Sequence, residues 1–407
     1  MTTLDVQCAI AGGGPAGMMA GLLLARAGVR VAVLEKHSDF LRDFRGDTIH
    51  PSTLELMAEL GELDAFLALP HQKAHGLAAQ VGARHFRIAD FSHLPVRCPY
   101  IAFMPQWDFL DFLAGIAARY PTFALHRRAE VTGLIEADGR VAGLRAATPD
   151  GDLAVRADLV IGADGRHSAV RAAAGLAVQA VGAPMDVLWF RLSRRPDDPD
   201  ETMGRFDAGS ICVLIDRGDY WQCGFVIPKG AIDAIRAQGL PAFRERLARL
   251  VPFLAGRLDE LADWRALSLL TVTVDRLTSW HRPGLLCIGD AAHAMSPVGG
   301  VGINLAIQDA VAAANILAAP LRDGRATRGH LAAVQARRTF PVRVTQAMQV
   351  AVQKRVISRV LRADAALTPP FFLRLLDAVP PLRRLPARLV GMGIRPEHIG
   401  TPDAFAG

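Results

Sequence analysis

The stretch Val6-Gln7-Cys8-Ala9-Ile10-Ala11-Gly12-Gly13-Gly14-Pro15-Ala16-Gly17 decides the reading of this chain. A short apolar run rich in β-formers meets a glycine-rich turn, and the residues from Pro15 to Ala27 then read as a helix. Gly28 stops that helix, and a second apolar run, residues 29–34, ends at Glu35 with Lys36 beside it. This is a βαβ beginning. In Gly12-x-Gly14-x-x-Gly17 the first glycine permits a tight turn, the second lets a pyrophosphate approach the backbone, and the third lets helix and strand pack closely. Pro15 and Ala16 open the helix, whose N-terminal amides and dipole favour phosphate. An acid at the end of the next strand, here Glu35, suits ribose hydroxyls.

Two later apolar runs extend the pattern. Residues 157–161 end in Gly162-Ala163-Asp164-Gly165, and residues 285–288 end in Gly289-Asp290, so the nucleotide-binding domain is assembled from separated segments. Between them, residues 187–192, 211–215, 220–227 and 267–274 alternate with a period of two and read as antiparallel strands of a second domain. Asp216-Arg217-Gly218-Asp219 has the character of a hairpin turn, and residues 195–201 read as a loop. From Gly302 onward the pattern is helical. The expected architecture is α/β: a split Rossmann-type domain (1–70, 101–176 and 280–320), an antiparallel substrate domain (71–100 and 177–279), and a C-terminal helical segment (321–407).

Composition narrows the function classes. With 407 residues, 51% of them hydrophobic, the chain can bury a sizeable core. The net charge is +6, yet Arg is scattered along the chain and no nucleic-acid motif accompanies it, so nucleic-acid binding is not expected. The five cysteines, Cys8, Cys98, Cys212, Cys223 and Cys287, are odd in number and widely spaced, which argues against a disulfide framework or a metal cage. No basic-then-apolar leader opens the chain, and no apolar run reaches the roughly 18 residues of a membrane span, so a cytoplasmic protein without an integral span is expected. Residues 369–394 mix Phe371, Phe372 and Leu pairs with Arg and Pro. Packing against the body is the ordinary reading of such a segment, and contact with a membrane surface is the alternative.

The segment 158–171, Asp-Leu-Val-Ile-Gly-Ala-Asp-Gly-Arg-His-Ser-Ala-Val-Arg, resembles the Asp-Gly motif of the single-component FAD-dependent aromatic-ring hydroxylases, the para-hydroxybenzoate-hydroxylase-like flavoproteins. The segment 289–305, Gly-Asp-Ala-Ala-His-Ala-Met-Ser-Pro-Val-Gly-Gly-Val-Gly-Ile-Asn-Leu, resembles their Gly-Asp motif. With the glycine-rich turn, three motifs stand in the family's order. The resemblance implies that FAD is the cofactor, that Asp290 accepts a hydrogen bond from a ribitol or ribose hydroxyl, and that Asp164 serves both the pyrophosphate region and the path of a nicotinamide nucleotide. Pro297, Gly300, Val301, Gly302, Ile303 and Asn304 would line the flavin. There the helix N-terminus can stabilise negative charge on the N1–C2=O edge of the ring. The family commonly has Gln where this chain has Val301. Arg45 and Gln106 match family positions that contact FAD, while His293 reads as a structural histidine.

The resemblance further implies a cycle in which NADH or NADPH reduces FAD as a transient donor. Dioxygen then adds at flavin C4a, and the distal oxygen of the hydroperoxide passes to an electron-rich aromatic carbon. The substrate, a phenolic or polycyclic aromatic, would lie between flavin and antiparallel sheet. Trp189, Arg191, Trp221, Cys223 and Phe225 are candidate pocket residues there, with core packing the competing reading, and Pro297 and Val298 are candidates beside the flavin turn. No catalytic base is assigned: His50, His71, His75 and His281 read as solvated or structural. Three other activities bear on the fold. Halogenases carry Trp-x-Trp-x-Ile-Pro, whereas this chain has Cys223-Gly224-Phe225-Val226-Ile227-Pro228. A flavoprotein reductase of alkenes or prenyl chains and an FAD-binding protein with little turnover stay open.

Overall fold

A computed structural model describes residues 2–41 and 47–406; Arg45 lies outside the described residues. The glycine-rich turn belongs to a sheet whose parallel core runs, in space, Leu285–Cys287, Gly151–Gly162, Thr2–Ala11, Val31–Glu35 and Phe123–Arg127. Cys8 sits opposite both Leu159 and Val31, so the central strands are covered on both faces and read as near-continuous apolar runs. Antiparallel strands Glu130–Ala137 and Arg140–Thr148 extend the sheet from Gly151–Gly162. Helix Pro15–Arg26 buries every residue from Ala16 to Ala25 between that sheet and the later helix Gly302–Arg322. A Cβ on Gly21 would stand 2.9 Å from Val33 Cγ2, so this helix lies closer to the sheet than any side chain there would permit.

The period-two runs form a second sheet, ordered Ser268–Leu270, Met185–Ser193, Tyr220–Pro228, Ser210–Asp216, Met203–Asp207, Gly76–Val81 and Arg84–Asp90. Its faces have different partners. Leu188, Phe190, Leu192, Trp221, Cys223, Phe225 and Ile227 point to one side, under Phe243 and Leu247 of helix Leu240–Leu250 and Leu254 and Leu258 of the 3-10 segment Pro252–Glu260. Trp221 also donates from Nε1 to Asp198, 2.8 Å away, and Arg257 grips the same carboxylate at 2.6 Å. Trp221 and Phe225 are therefore core under the helices and not pocket residues: in a strand, odd and even neighbours cannot share a face. The other face, carrying Val187, Trp189, Val213, Ile215 and Val226, turns toward the first domain.

Among the described residues only Val298–Arg322 is long and apolar enough to cross a bilayer, and 72% of its most apolar window is buried. The C-terminal segment is helical and wraps both units. Leu373 of helix Phe371–Ala378 packs with Val81 and Phe86, and Ala387 of helix Arg384–Gly391 with Phe91, Leu94 and Ile215. The last residues return to the first domain, where Ala404 N–H donates to Arg26 O (2.8 Å) and Tyr120 Oη to Asp403 (3.1 Å).

His50 joins these parts. Its side chain is fully buried, and Nδ1 lies 2.7 Å from Val390 O; because a carbonyl only accepts, Nδ1 carries the proton. Burial pushes the imidazole down to about 4, against the opposing pull of that hydrogen bond. The unfolded chain therefore takes up a proton near pH 6.5 that the folded chain refuses until about 4, and stability falls as pH drops through that window, by up to roughly 3 kcal/mol. Urea midpoints at pH 7.5 and pH 5 should fall farther apart in the parent than in His50→Asn, which keeps a donor but cannot titrate; equal slopes would refute this assignment.

Candidate functional site

Three turns lie side by side at the carboxyl edge of the parallel sheet, because the strands that precede them are neighbours: Leu285–Cys287, Gly151–Gly162 and Thr2–Ala11. In open α/β sheets that edge is where ligands bind. At the first turn Gly12 has φ 99°, and a Cβ there would lie 2.5 Å from Ala163 O of the neighbouring turn. A Cβ on Gly17 would strike Gly12 O at 1.9 Å, whereas one on Gly14 would meet nothing within 4 Å. Two glycines are thus required by contact, and the third faces open space over the start of helix Pro15–Arg26, whose first-turn amides lack intrahelical partners. Glu35, buried at its strand end, accepts from Gly13 N–H and His37 N–H, both at 3.0 Å, while Lys36 is exposed beside it. The carboxylate thereby fixes the glycine turn.

At the middle turn Asp164 accepts from Ser168 Oγ and from Val170 N–H (3.0 Å), which makes it the organiser of the turn into helix Ala169–Ala173. At the third turn Asp290 stays half-buried, with Arg166 Nη2 at 3.3 Å from Oδ2. The Gly289-Asp290 turn is held from below by Asp309, a fully buried carboxylate on helix Gly302–Arg322. Its Oδ2 accepts Gly289 N–H (3.1 Å) and lies 2.5 Å from His293 Nε2; its Oδ1 accepts Arg338 Nε (2.9 Å). Burial raises the Asp309 carboxyl, but His293 and Arg338 outweigh it and hold the group below the usual carboxylate range. Arg338 reaches on to Glu397 at 3.2 Å. His293 is thus structural, as its place in the motif suggested. Asp309, Arg338 and Glu397 were not singled out from the sequence, although Asp309 interrupts a helix otherwise apolar from Leu305 to Ala314, save for Gln308.

Farther along the chain, residues 297–300 form a tight turn with Gly299 at φ 80° and Gly300 at φ 63°. A Cβ on Gly300 would lie 2.8 Å from Thr48 Oγ1, which donates to Gly300 O at 3.0 Å. The first intrahelical bond beyond the turn is Leu305 N–H to Val301 O, so the amides of Gly302, Ile303 and Asn304 are left without intrahelical partners, as an anion site needs. The Asn304 side chain, in contrast, is consumed as a bracket: Oδ1 accepts His50 N–H (3.0 Å) and Thr53 Oγ1 (2.8 Å), and Nδ2 donates to Thr48 O (3.1 Å). Behind the turn Gln349 donates to Ser296 O (2.9 Å) and Val298 O (3.0 Å), and Gln353 donates to Ser296 Oγ (2.7 Å). These glutamines were also missed; nothing in an exposed-looking polar helix distinguishes two that turn inward.

Gln106 begins helix Gln106–Ala117, and its N–H donates to Asp47 Oδ1 at 3.2 Å. Asp47 pairs with Arg217 of the hairpin turn in the second sheet, and Arg217 also grips Gln222 Oε1 at 2.8 and 2.7 Å. Burial raises the Asp47 carboxyl above the usual range, against the opposing pull of Arg217. This clasp sets the two sheets against each other. Of the pocket candidates, Trp189, Pro297 and Val298 are brought to the same side, and Trp189 and Val298 pack against one buried group that includes Val187, Val226 and Val272. A Cβ on Gly224 would come within 2.9 Å of the Trp189 ring, so that glycine gives the indole its place on the sheet. The indole Nε1 is buried without a partner. Arg191 follows Trp189 at period two on the same face of the strand; it is exposed and lies over the Tyr220 ring, 4.7 Å from its centroid.

Breaking a buried ion pair on one side leaves an uncompensated charge. Arg338→Met is therefore expected to cost about 3 kcal/mol of stability and to loosen the Gly289-Asp290 turn, read as a lowered thermal midpoint and faster flavin loss on dialysis; an unchanged midpoint would show that the carboxylate network is dispensable.

The residues fit FAD. Two helix N-termini with unpaired amides and a half-buried carboxylate, Asp290, belong to the segments at this edge, and the space over Gly14 is open. Residues 5–348 match the family described as FAD binding domain. The chain is 34% identical over 364 residues to 6-methylpretetramide 4-monooxygenase of Streptomyces rimosus, covering 88% of this chain and 86% of the relative. It is 26% identical over 337 residues to 3-demethoxyubiquinol 3-hydroxylase of Escherichia coli, covering 78% and 81%. Among solved structures, OxyS anhydrotetracycline hydroxylase from Streptomyces rimosus superposes with a TM-score of 0.76 at 26% identity, covering 98% of this chain and 78% of that one. The chain therefore belongs to the FAD-binding flavoprotein monooxygenases, the family of the FAD-dependent aromatic hydroxylases.

Proposed function

We propose that this FAD-dependent monooxygenase hydroxylates a polycyclic aromatic substrate, with NADH or NADPH as a transient electron donor. One observation carries the reading: the face of the antiparallel sheet turned toward the Pro297-Val298 turn is apolar, and its central aromatic, Trp189, presents a buried indole N–H with no partner. A flat, electron-rich ring system carrying a hydroxyl or carbonyl oxygen matches such a wall, because its rings stack on apolar surface and its oxygen satisfies the donor. Two of the relatives are named for 6-methylpretetramide and anhydrotetracycline, which supports the polycyclic class, while a third is named for 3-demethoxyubiquinol.

When bound, FAD supplies the electron transfer and oxygen activation that side chains cannot. The chain's own residues do the rest. The amides of Gly302, Ile303 and Asn304 would hold negative charge at the pyrimidine edge of the ring. Val187, Ile211, Val226 and Val272 form a buried apolar group with Val298 that would keep water from the space beside the Pro297-Val298 turn. Trp189 orients the substrate by its N–H, and the Asp47–Arg217 clasp keeps the sheet that carries Trp189 at a fixed distance from the flavin turn.

Purified yellow protein should oxidise NADH or NADPH faster when a polycyclic phenol is added, take up oxygen, and yield a product one oxygen atom heavier; failure of either nucleotide to reduce the flavin under any condition would sink the monooxygenase cycle. Trp189→Phe keeps an aromatic ring on this face but loses the donor and part of the indole's packing, and it should raise KM about tenfold. Gly300→Ala meets both a positive φ and the Thr48 hydroxyl, and it should weaken FAD retention on dialysis by at least about tenfold.

A further inference from the structure

The C-terminal segment presents a face that the site does not use. In helix Phe371–Ala378, Leu373 is sealed against the second sheet, while Phe371 is 70% exposed and Leu375 and Val379 follow it at four-residue spacing. Residues spaced by four stand above one another on a helix, so these form one outward apolar stripe. Helix Arg384–Gly391 repeats the arrangement: Ala387 is buried on the sheet, and Leu385 is 64% exposed. Arg383 ties the two helices together through Leu376 O (2.9 Å) and Asp377 O (3.0 Å), so the outward residues Phe371, Phe372, Leu375, Val379, Leu382 and Leu385 belong to one linked unit.

Charge tells what covers this face. Residues 354–395 contain nine Lys and Arg and two Asp, a net +7 in a chain whose total is +6, so the rest of the protein sums to −1. Lys354, Arg355, Arg359, Arg362, Arg374, Arg384 and Arg388 are all exposed. A second copy seated on the same face would set Arg374, Arg384 and Arg388 against their own counterparts, which opposes self-association. The partner that suits apolar side chains interleaved with these arginines is an anionic bilayer: aromatic and aliphatic side chains enter the acyl boundary, and arginines keep their charged heads among the lipid phosphates.

We propose that the paired helices Phe371–Ala378 and Arg384–Gly391 dock this protein on the surface of a bilayer containing anionic phospholipid. The helices lie flat and do not span. The docked unit is continuous with the site, since Val390 O accepts from His50, whose N–H is held by Asn304 at the flavin turn. An apolar substrate would reach such an enzyme from the membrane interface, but docking itself does not depend on the reaction.

The test is sedimentation of the full FAD-loaded chain with phosphatidylcholine vesicles, with and without phosphatidylglycerol. The protein should pellet with the anionic vesicles at low salt, and at least about tenfold less with pure phosphatidylcholine or in about 0.5 M NaCl, where charges are screened within a few ångströms. The triple variant Arg374→Glu/Arg384→Glu/Arg388→Glu and the double variant Phe371→Ser/Leu385→Ser should each weaken pelleting about tenfold while keeping the flavin spectrum and thermal midpoint. No pelleting with anionic vesicles, or pelleting indifferent to both variants, overturns the proposal. So does a dimer in analytical ultracentrifugation that the double variant dissociates, since the face would then belong to a second copy.

Discussion

A single buried carboxylate, Asp309, governs how the binding edge is put together. It sits on a helix packed against both the sheet and helix Pro15–Arg26, and it bonds at once to the Gly289 amide, to His293 and to Arg338. A charge placed there without partners would be intolerable; with them it fixes a turn, a ring and a second helix in one arrangement. Arg338 then carries the constraint to Glu397, and so to the returning tail. The turn that presents Asp290 owes its shape to groups distant in sequence and wholly inside the protein.

The second determinant is the two-sidedness of the antiparallel sheet. One face spends its aromatics on packing, with Phe225 and Phe190 edge-on to Phe243. The other carries Trp189 and makes room for its indole with a glycine on the adjacent strand. Rigid packing on one side holds the other side smooth and dry. The Asp47–Arg217 pair sets how far that smooth side stands from the Pro297 turn, and the Gln349 and Gln353 amides stop the turn from drifting.

Much of this was legible in the sequence, for physical reasons. The βαβ start, the three turns and their order follow from hydrophobic period and from glycines that only tight contacts require, as at Gly12 and Gly17. What period alone left open was the side on which alternating residues fall relative to a partner: Trp189 and Trp221 look alike on paper, and only the helix over residues 240–250 separates them. Asn304 was placed at the flavin from its motif, yet its side chain brackets Thr48, His50 and Thr53. The Arg338–Asp309 pair and the inward glutamines depend on helix rotation and long-range packing, which no local pattern encodes. Arg45 lies outside the described residues.

The spatial order of the binding edge also has a bearing on biosynthesis. The strand carrying the first turn is made well before the strands of the other two turns, residues 151–162 and 285–287, and the helix that covers Pro15–Arg26 comes later still. Until then that helix, buried all round in the finished protein, has one side without a partner. Pairings of such long sequence separation close slowly, and transiently open apolar surface invites association with other chains. The binding edge is therefore complete only once residues as far along as 322 have joined segments made some three hundred residues earlier.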